Sequence, residues 1–316
     1  MNVKDEVLLA EKRIRPYILK TPVEYSHHLS RMTGANVWMK MEHLQITGSF
    51  KLRGATNKLL SLSEAEKSRG VITASTGNHG SAFAYIADLL KVKGTVFLPE
   101  SVSPAKVEYM QLFDVDLVYI PGDPIESEKT ARATAAQNNQ VYVSPYNDWQ
   151  IVGGQGTIGI EIQEQVPEVD SVLIPVGGGG LIAGIAGYMK EMHQEIEIIG
   201  CQPENSAVMY ESIQAGKVLD IPTYPTLSDG TAGGMDLDSI TFDICQQYVD
   251  DYVMVSEEEI AEGLRFLLKK HYLMVEGAAA LSVASLLQQK ERFSGKTVVL
   301  ILCGRKIGVE TLKKIL

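Results

Sequence analysis

The sequence predicts an α/β fold built on parallel sheet, and three observations carry that expectation. Short apolar runs alternate with longer amphipathic ones, as strands alternate with the helices that cross back over a parallel sheet. Glycine and small polar residues cluster where an apolar run hands over to an amphipathic one, as in TASTGNHGSAFAY and SVLIPVGGGGLIAG. The 316 residues are 45% hydrophobic and 22% charged, enough to bury a large core in one large domain or two moderate ones.

Taken in order, ITGSFKLRGA predicts a helix from Phe50 to about Leu62 with Ser49 as its cap. GVITAS reads as a strand followed by the helix SAFAYIADLLK. KGTVFLP pairs with PAKVEYMQLF, and DLVYI with EKTARATAAQNN. VYVSP is a further short strand. SVLIPV leads into LIAGIAGYMKEMH, EIEIIGC follows, and TVVLILC lies near the C-terminus. The chain changes character near VYVSPYNDWQIVGGQG, where a strand gives way to a glycine-rich stretch ahead of the helix TIGIEIQEQ, so a domain boundary is placed at about residue 147. With no repeat, low-complexity tract or linker, a second domain must pack against the first or be inserted into it.

A formal net charge of −10 argues against electrostatic binding to nucleic acid or to an anionic membrane, and points to small metabolites. Cys201, Cys245 and Cys303 lie far apart in no metal-ligand spacing, which fits a reducing compartment, with cytoplasm the default. The N-terminal stretch mixes charges throughout and does not read as a signal peptide. The most apolar window, LIPVGGGGLIAGIAGYM, is broken by glycines and falls short of a membrane span.

Four loops are candidates for chemistry. Gly177, Gly178, Gly179 and Gly180 follow a strand and open a helix, so backbone N–H groups and the positive helix end can seat a phosphate. A P-loop is excluded by Leu181-Ile182. Gly178, Gly180 and Ala183 fit G-x-G-x-x-A, but the next strand ends in Cys201-Gln202 where a dinucleotide site would have an acidic residue. A tight turn that uses glycine only for packing remains open. Ser75, Thr76, Gly77, Asn78 and His79 form a second helix start suited to a carboxylate or a cofactor edge, or simply a capped helix in which His79 is structural. Lys51 stands in the first turn of its helix, where the dipole disfavours positive charge and lowers its pKa; a neutral amine there suits attachment of an aldehyde, although a solvated side chain is the ordinary alternative. Cys303 reads as a buried small residue before a turn or as a weak, neutral hydrogen-bond partner.

ITGSFKLRGA, ASTGNHG, VGGQGTIGIEI, PVGGGGLIAGI, LSDGTAGG, VEGAAA and ILCG, in this order, resemble the fold-type II pyridoxal-phosphate enzymes, specifically the serine/threonine dehydratase and serine racemase group. The resemblance covers nearly the whole chain. It implies a fold like that of the tryptophan synthase β chain: two parallel-sheet α/β domains, with residues 1–69 and 147–316 forming the large one, 70–146 the small one, and pyridoxal 5'-phosphate in the cleft between them. It implies that Lys51 is the Schiff-base lysine and the base for the substrate α-proton, and that Gly177, Gly178, Gly179, Gly180 and Leu181 bind the phosphate. Asn78 would contact the phenolic oxygen, Cys303 would stand beside the pyridine nitrogen and leave it largely unprotonated, and Phe50, Gly230 and Glu276 would line the cofactor. Ser75, Thr76, Gly77 and His79 would grip the substrate carboxylate. The implied reaction is β-elimination of a 3-hydroxy amino acid such as L-threonine or L-serine to a 2-keto acid and ammonia, in a homodimer.

Three departures qualify the resemblance. Thr76 occupies the position where racemases of the group have a catalytic serine, so racemisation is kept as an alternative, and Thr76 as a catalytic candidate. Gln202, Ser206 and Val208 stand where eukaryotic-type racemases carry carboxylates for a divalent cation, so no metal is expected there. Arg305-Lys306 replaces a more usual Gly-Asn, which implies a variant substrate with a second acidic group, such as threo-3-hydroxyaspartate, or with a larger side chain. VEGAAA and STGNHG are also similar to the dehydratase of hydroxyectoine breakdown. Leu316 leaves no room for an appended regulatory domain, so feedback inhibition is not expected. A cysteine synthase-like β-replacement enzyme, a nicotinamide-dependent dehydrogenase resting on Gly178 to Ala183, and a non-catalytic binding protein are the readings from other classes.

Overall fold

The computed structural model describes residues 2–316. Its ten strands are β1 (Val23–Tyr25), β2 (Asn36–Lys40), β3 (Val71–Ala74), β4 (Gly94–Pro99), β5 (Val115–Ile120), β6 (Val141–Tyr142), β7 (Ser171–Pro175), β8 (Glu197–Pro203), β9 (Asp251–Val255) and β10 (Thr297–Ile301). They form a six-stranded sheet in the order β1-β2-β10-β7-β8-β9 and a four-stranded sheet in the order β5-β4-β3-β6. Every pairing is parallel except β1 with β2. The strands β7, β8 and β10 are buried almost throughout because helices cover both faces, as parallel sheet requires. The largest apolar cluster lies around the six-stranded sheet. A second joins Leu52 and Leu59 to Phe83 and Val96 beside the four-stranded sheet, so the helix Lys51–Ser61 packs into the core of that sheet.

Three strands fall outside the predicted alternation. β1 has only three residues, β2 ends in a lysine, and β9 begins with an aspartate. The expected helix PAKVEYMQLF is a short α-helix, Pro104–Glu108, followed by a separate 3₁₀ turn, Met110–Leu112.

The glycine-rich stretch expected to precede a helix is itself helical. Trp149–Gln165 forms one helix, capped by Asp148, whose carboxylate accepts from the N–H groups of Gln150 and Ile151. Its glycines permit close backbone contact. A Cβ at Gly154 would lie 2.6 Å from the Arg53 carbonyl oxygen, and one at Gly156 would lie 2.7 Å from that of Gly184. This helix therefore sits directly against the helix that begins at Lys51 and the helix Gly180–Met192 that follows the glycine loop. The sequence pattern signals the glycines but not their neighbours, which only tertiary packing supplies.

Beneath the Lys51 helix lies a fully buried ionic knot. The Arg53 guanidinium donates to both Glu42 carboxylate oxygens and both Glu161 oxygens at 2.8 Å, and to Thr157 Oγ1 at 3.1 Å. Lys40 Nζ donates to Glu161 Oε2 at 2.5 Å and to the Thr21 carbonyl at 2.6 Å. Burial works to raise the Glu161 pKa, but Arg53 and Lys40 outweigh it and hold the group down to about 2. A depressed carboxylate adds stability that is complete above its ordinary 4.5 and lost as pH falls from there toward about 2. Glu161→Gln, which leaves the buried cations Arg53 and Lys40 under-compensated and removes a partner of Arg15, is expected to lower unfolding free energy by about 3–5 kcal/mol and to flatten the acid limb between those pH values. Urea titrations from pH 2 to 7 check this; an unchanged acid limb would contradict it.

Candidate active site

The stretch around Lys51 is held by the end of β10. The Phe50 N–H donates to the Cys303 carbonyl at 3.1 Å, the Arg305 N–H to the Gly48 carbonyl at 3.0 Å, and Ser49 pairs with Gly304 as an antiparallel bridge. Ser49 is therefore not the helix cap. The helix is Lys51–Ser61, its N-cap position is Phe50 without a side-chain capping bond, and Ser49 Oγ is buried with no partner. Strand-like pairing with Gly304 holds Ser49 away from the capping position. Lys51 is the first helical residue, and its Nζ donates to the Pro145 carbonyl at 2.8 Å and lies 5.2 Å from the centre of the Phe50 ring. Its pKa is lowered to about 8. Burial is the largest cause, and Cys303 and Glu276 pull the other way. Withheld water is the largest cause that brings the amine's pKa down.

Glu276 joins the other candidates. Its carboxyl accepts from Asn78 Nδ2 at 3.0 and 2.8 Å, and Cys303 Sγ lies 3.8 Å from Oε1. A Cβ on Gly230 would stand 3.2 Å from that oxygen, and one on Gly304 would lie 2.5 Å from it. Burial raises the Glu276 pKa to about 7, against the lowering effect of Asn78. The Cys303 thiol is pushed well above its ordinary value, first by burial and then by Glu276, so it stays neutral. Asn78 is the first residue of the helix Asn78–Leu89, and its Oδ1 is buried without a partner.

The glycine loop leaves the end of β7 and opens the helix Gly180–Met192. Gly179 adopts φ +85°, a left-handed conformation that turns the chain into the helix. Side chains would not fit here: a Cβ on Gly178 would lie 2.6 Å from the Tyr146 ring, and one on Gly177 2.9 Å from the Thr231 backbone. Thr241 Oγ1 donates to the Gly178 carbonyl at 2.7 Å, and Tyr146 Oη accepts from the Asp236 N–H at 2.7 Å. The first N–H groups of the helix, from Gly180 and Leu181 onward, have no partner within it and carry its positive end.

In the Ser75–His79 loop the Gly77 N–H donates to Ser75 Oγ at 3.3 Å, and a Cβ on Gly77 would meet nothing within 4 Å. Ser75, Thr76 and Gly77 are half-buried at the strand-to-helix junction. The His79 side chain turns inward. It is 3% exposed, Nε2 lies 3.1 Å from the Val143 carbonyl, and burial followed by the Lys51 charge lowers its pKa to about 3. Its Nδ1 is buried without a partner. Gln202 is engaged elsewhere, its Oε1 accepting from the Tyr210 N–H at 2.8 Å and its Nε2 donating to the Val176 carbonyl at 3.3 Å.

Sequence reasoning did not single out Pro145, Tyr146 or Thr241. Their parts come from a carbonyl, a ring face and a hydroxyl brought in by folding, and no motif marks them. The polar groups match pyridoxal phosphate in kind: N–H groups at a helix start for a phosphate, a buried amine with lowered pKa for an aldehyde, an unpartnered amide acceptor on Asn78 and a neutral thiol. No helix among the described residues is long and apolar enough to cross a membrane.

Residues 14–304 match the sequence model of a family described as pyridoxal-phosphate dependent enzyme. An L-threonine ammonia-lyase of Thermotoga maritima is 37% identical over 316 residues, which is all of this chain and 78% of that protein. Threonine deaminase isoform 2 from Solanum lycopersicum, in its processed form, superposes with a TM-score of 0.95 at 30% identity, over 99% of this chain and 86% of that one. Maize serine racemase does so with a TM-score of 0.92 at 29% identity, over 98% and 95%. With the family model spanning most of its length and the donor set agreeing in kind, the chain belongs to the pyridoxal-phosphate dependent enzymes.

Proposed function

We propose that the protein is an ammonia-lyase that dehydrates and deaminates a 3-hydroxy amino acid such as L-threonine or L-serine. The observation that carries this reading is the Lys51 amine, lowered to about 8 and held on the Pro145 carbonyl beside Cys303 and Glu276. The threonine ammonia-lyase of Thermotoga maritima supports the substrate class. When bound, the cofactor supplies a carbonyl that takes up an amine and a conjugated ring that draws electrons from Cα.

The chain's own groups have distinct parts. The N–H groups of the Gly177–Gly180 loop, with Leu181, hold phosphate. Asn78, anchored on Glu276, would hold the phenolic oxygen. Cys303 would be a neutral neighbour for the pyridine nitrogen, and Gly230 and Phe50 would line the ring. Ser75, Thr76, Gly77 and the backbone of His79 seat the substrate carboxylate, and Lys51 Nζ accepts the α-proton. The α-proton and β-hydroxyl leave as water, and hydrolysis of the C–N bond then gives the 2-keto acid and ammonium. The Thr76 hydroxyl, in the half-buried carboxylate loop, motivates the second reading, racemisation. We take the active form to be a cytoplasmic homodimer, with domains divided at 69/70 and 146/147. Sheet membership supports that division, although Leu52 and Leu59 pack across it.

Three outcomes are expected. Lys51→Ala lowers kcat by roughly 10³-fold or more, and borohydride followed by peptide mass mapping places the reduced cofactor on Lys51 in the parent enzyme. Keto acid release at the parental rate by the variant would sink the reading. Because the neutral amine is the reactive form, the rate at which apoenzyme takes up pyridoxal phosphate rises with pH through about 8; stopped-flow absorbance showing the rise only near 10 would refute the burial argument. Gly178→Ala forces the loop off Tyr146 and weakens cofactor affinity about tenfold or more, as equilibrium dialysis would show; unchanged affinity would dissociate the loop from phosphate.

A further inference from the structure

Two of the anions in the proposed reaction have neutral seats made of backbone N–H groups: phosphate at the Gly177–Gly180 loop and the α-carboxylate at the Ser75–His79 loop. The residues after Cys303 bring positive charge that neither anion requires. The backbone there is fixed, because the Arg305 N–H donates to the Gly48 carbonyl at 3.0 Å and the Gly304 carbonyl accepts from the Glu276 N–H at 3.1 Å. From this anchored turn Lys306 reaches across to the helix Asn78–Leu89. Its Nζ donates to Ser81 Oγ at 2.5 Å and stands 4.3 Å from the centre of the Tyr109 ring. Ser81 Oγ donates in turn to the Gly77 carbonyl at 3.1 Å, so the ammonium is one hydroxyl removed from the carboxylate loop.

Lys306 is exposed as a residue, but its charged end is drawn in. Burial lowers its pKa to about 8, Glu276 pulls it up, and Arg305 pushes it down. Among the described residues, no carboxylate forms an ion pair with the side chain of Lys306 or Arg305. Glu276, the nearest carboxyl in influence, is itself raised to about 7 and committed to Asn78. An ammonium one hydroxyl from a loop for one carboxylate, with a second cation on the preceding residue and no ion-paired carboxylate on either, forms a seat for a second anion carried by the same molecule.

We infer that Lys306, with Arg305 beside it, determines substrate specificity, and that the preferred substrate is a 3-hydroxy amino acid carrying a second carboxylate on Cβ. This inference rests on the ammonia-lyase reading. For 3-hydroxyaspartate the α-proton and β-hydroxyl leave as water, both carboxylates are retained, and hydrolysis of the C–N bond yields oxaloacetate and ammonium.

The test uses holoenzyme and measures keto acid release from each stereoisomer of 3-hydroxyaspartate, from L-threonine and from L-serine. One 3-hydroxyaspartate isomer is expected to have a higher kcat/KM than threonine. Lys306→Gln should lower the ratio of those two kcat/KM values about 10–100-fold, mainly through KM, as loss of a hydrogen bond to a charged group predicts. Lys306→Arg should restore most of the ratio. Turnover of threonine or serine with no 3-hydroxyaspartate isomer preferred, or a ratio that Lys306→Gln leaves unmoved because all substrates fall together, overturns the inference and leaves the ammonia-lyase reading standing. Absence of keto acid from every substrate overturns that reading first.

Discussion

The site depends on keeping the Lys51 amine away from water while giving it no carboxylate of its own. Its hydrogen-bond partner is a carbonyl, from Pro145, and the nearest acidic groups are a raised carboxyl and a neutral thiol. A carboxylate in contact would raise the lysine's pKa back toward its ordinary value; a carbonyl orients it without adding a counter-charge. Cys303 therefore matters for the charge it does not carry, and Glu276 for having a pKa raised to about 7, which weakens its pull on the amine.

Holding an amine in this state requires that the helix bearing it cannot drift. Two features secure it. The Arg53 guanidinium, two residues on, is locked by Glu42 and Glu161, and moving it would expose unmatched buried charge. On the adjoining side, Gly54 and Gly154 bring two helix backbones together, and Trp149–Gln165 also touches the helix that follows the glycine loop. One helix thus spaces the amine relative to the loop read as the phosphate seat. The knot contributes position rather than chemistry, consistent with its lying wholly out of solvent.

Much of this was legible in the sequence because the strand–glycine–helix junctions are local events. SVLIPVGGGG and ITASTGNHG announce their strands, turns and helix starts together. What was missed required neighbours. β2 carries Lys40 in a fully buried position that no single-strand pattern predicts, because Glu161, 121 residues away, neutralises it. Ser49 has the composition of a cap, yet pairing with Gly304 takes it elsewhere. The lowered pKa of Lys51 was anticipated from the helix end, and the folded chain adds burial as a lowering cause that a helix start alone does not reveal. Tyr146 and Thr241 carried no signal, since a ring face behind a glycine becomes meaningful only after folding.

The central claim concerns one protonation equilibrium, and it can be observed without turnover. Apoenzyme labelled with ¹⁵N at lysine side chains, titrated by NMR with Lys51→Arg and Lys306→Gln to assign the two low-titrating resonances, should show Lys51 Nζ titrating near 8. A midpoint near the ordinary 10.5 would show that folding leaves the amine hydrated, and would contradict the account of how this site is built.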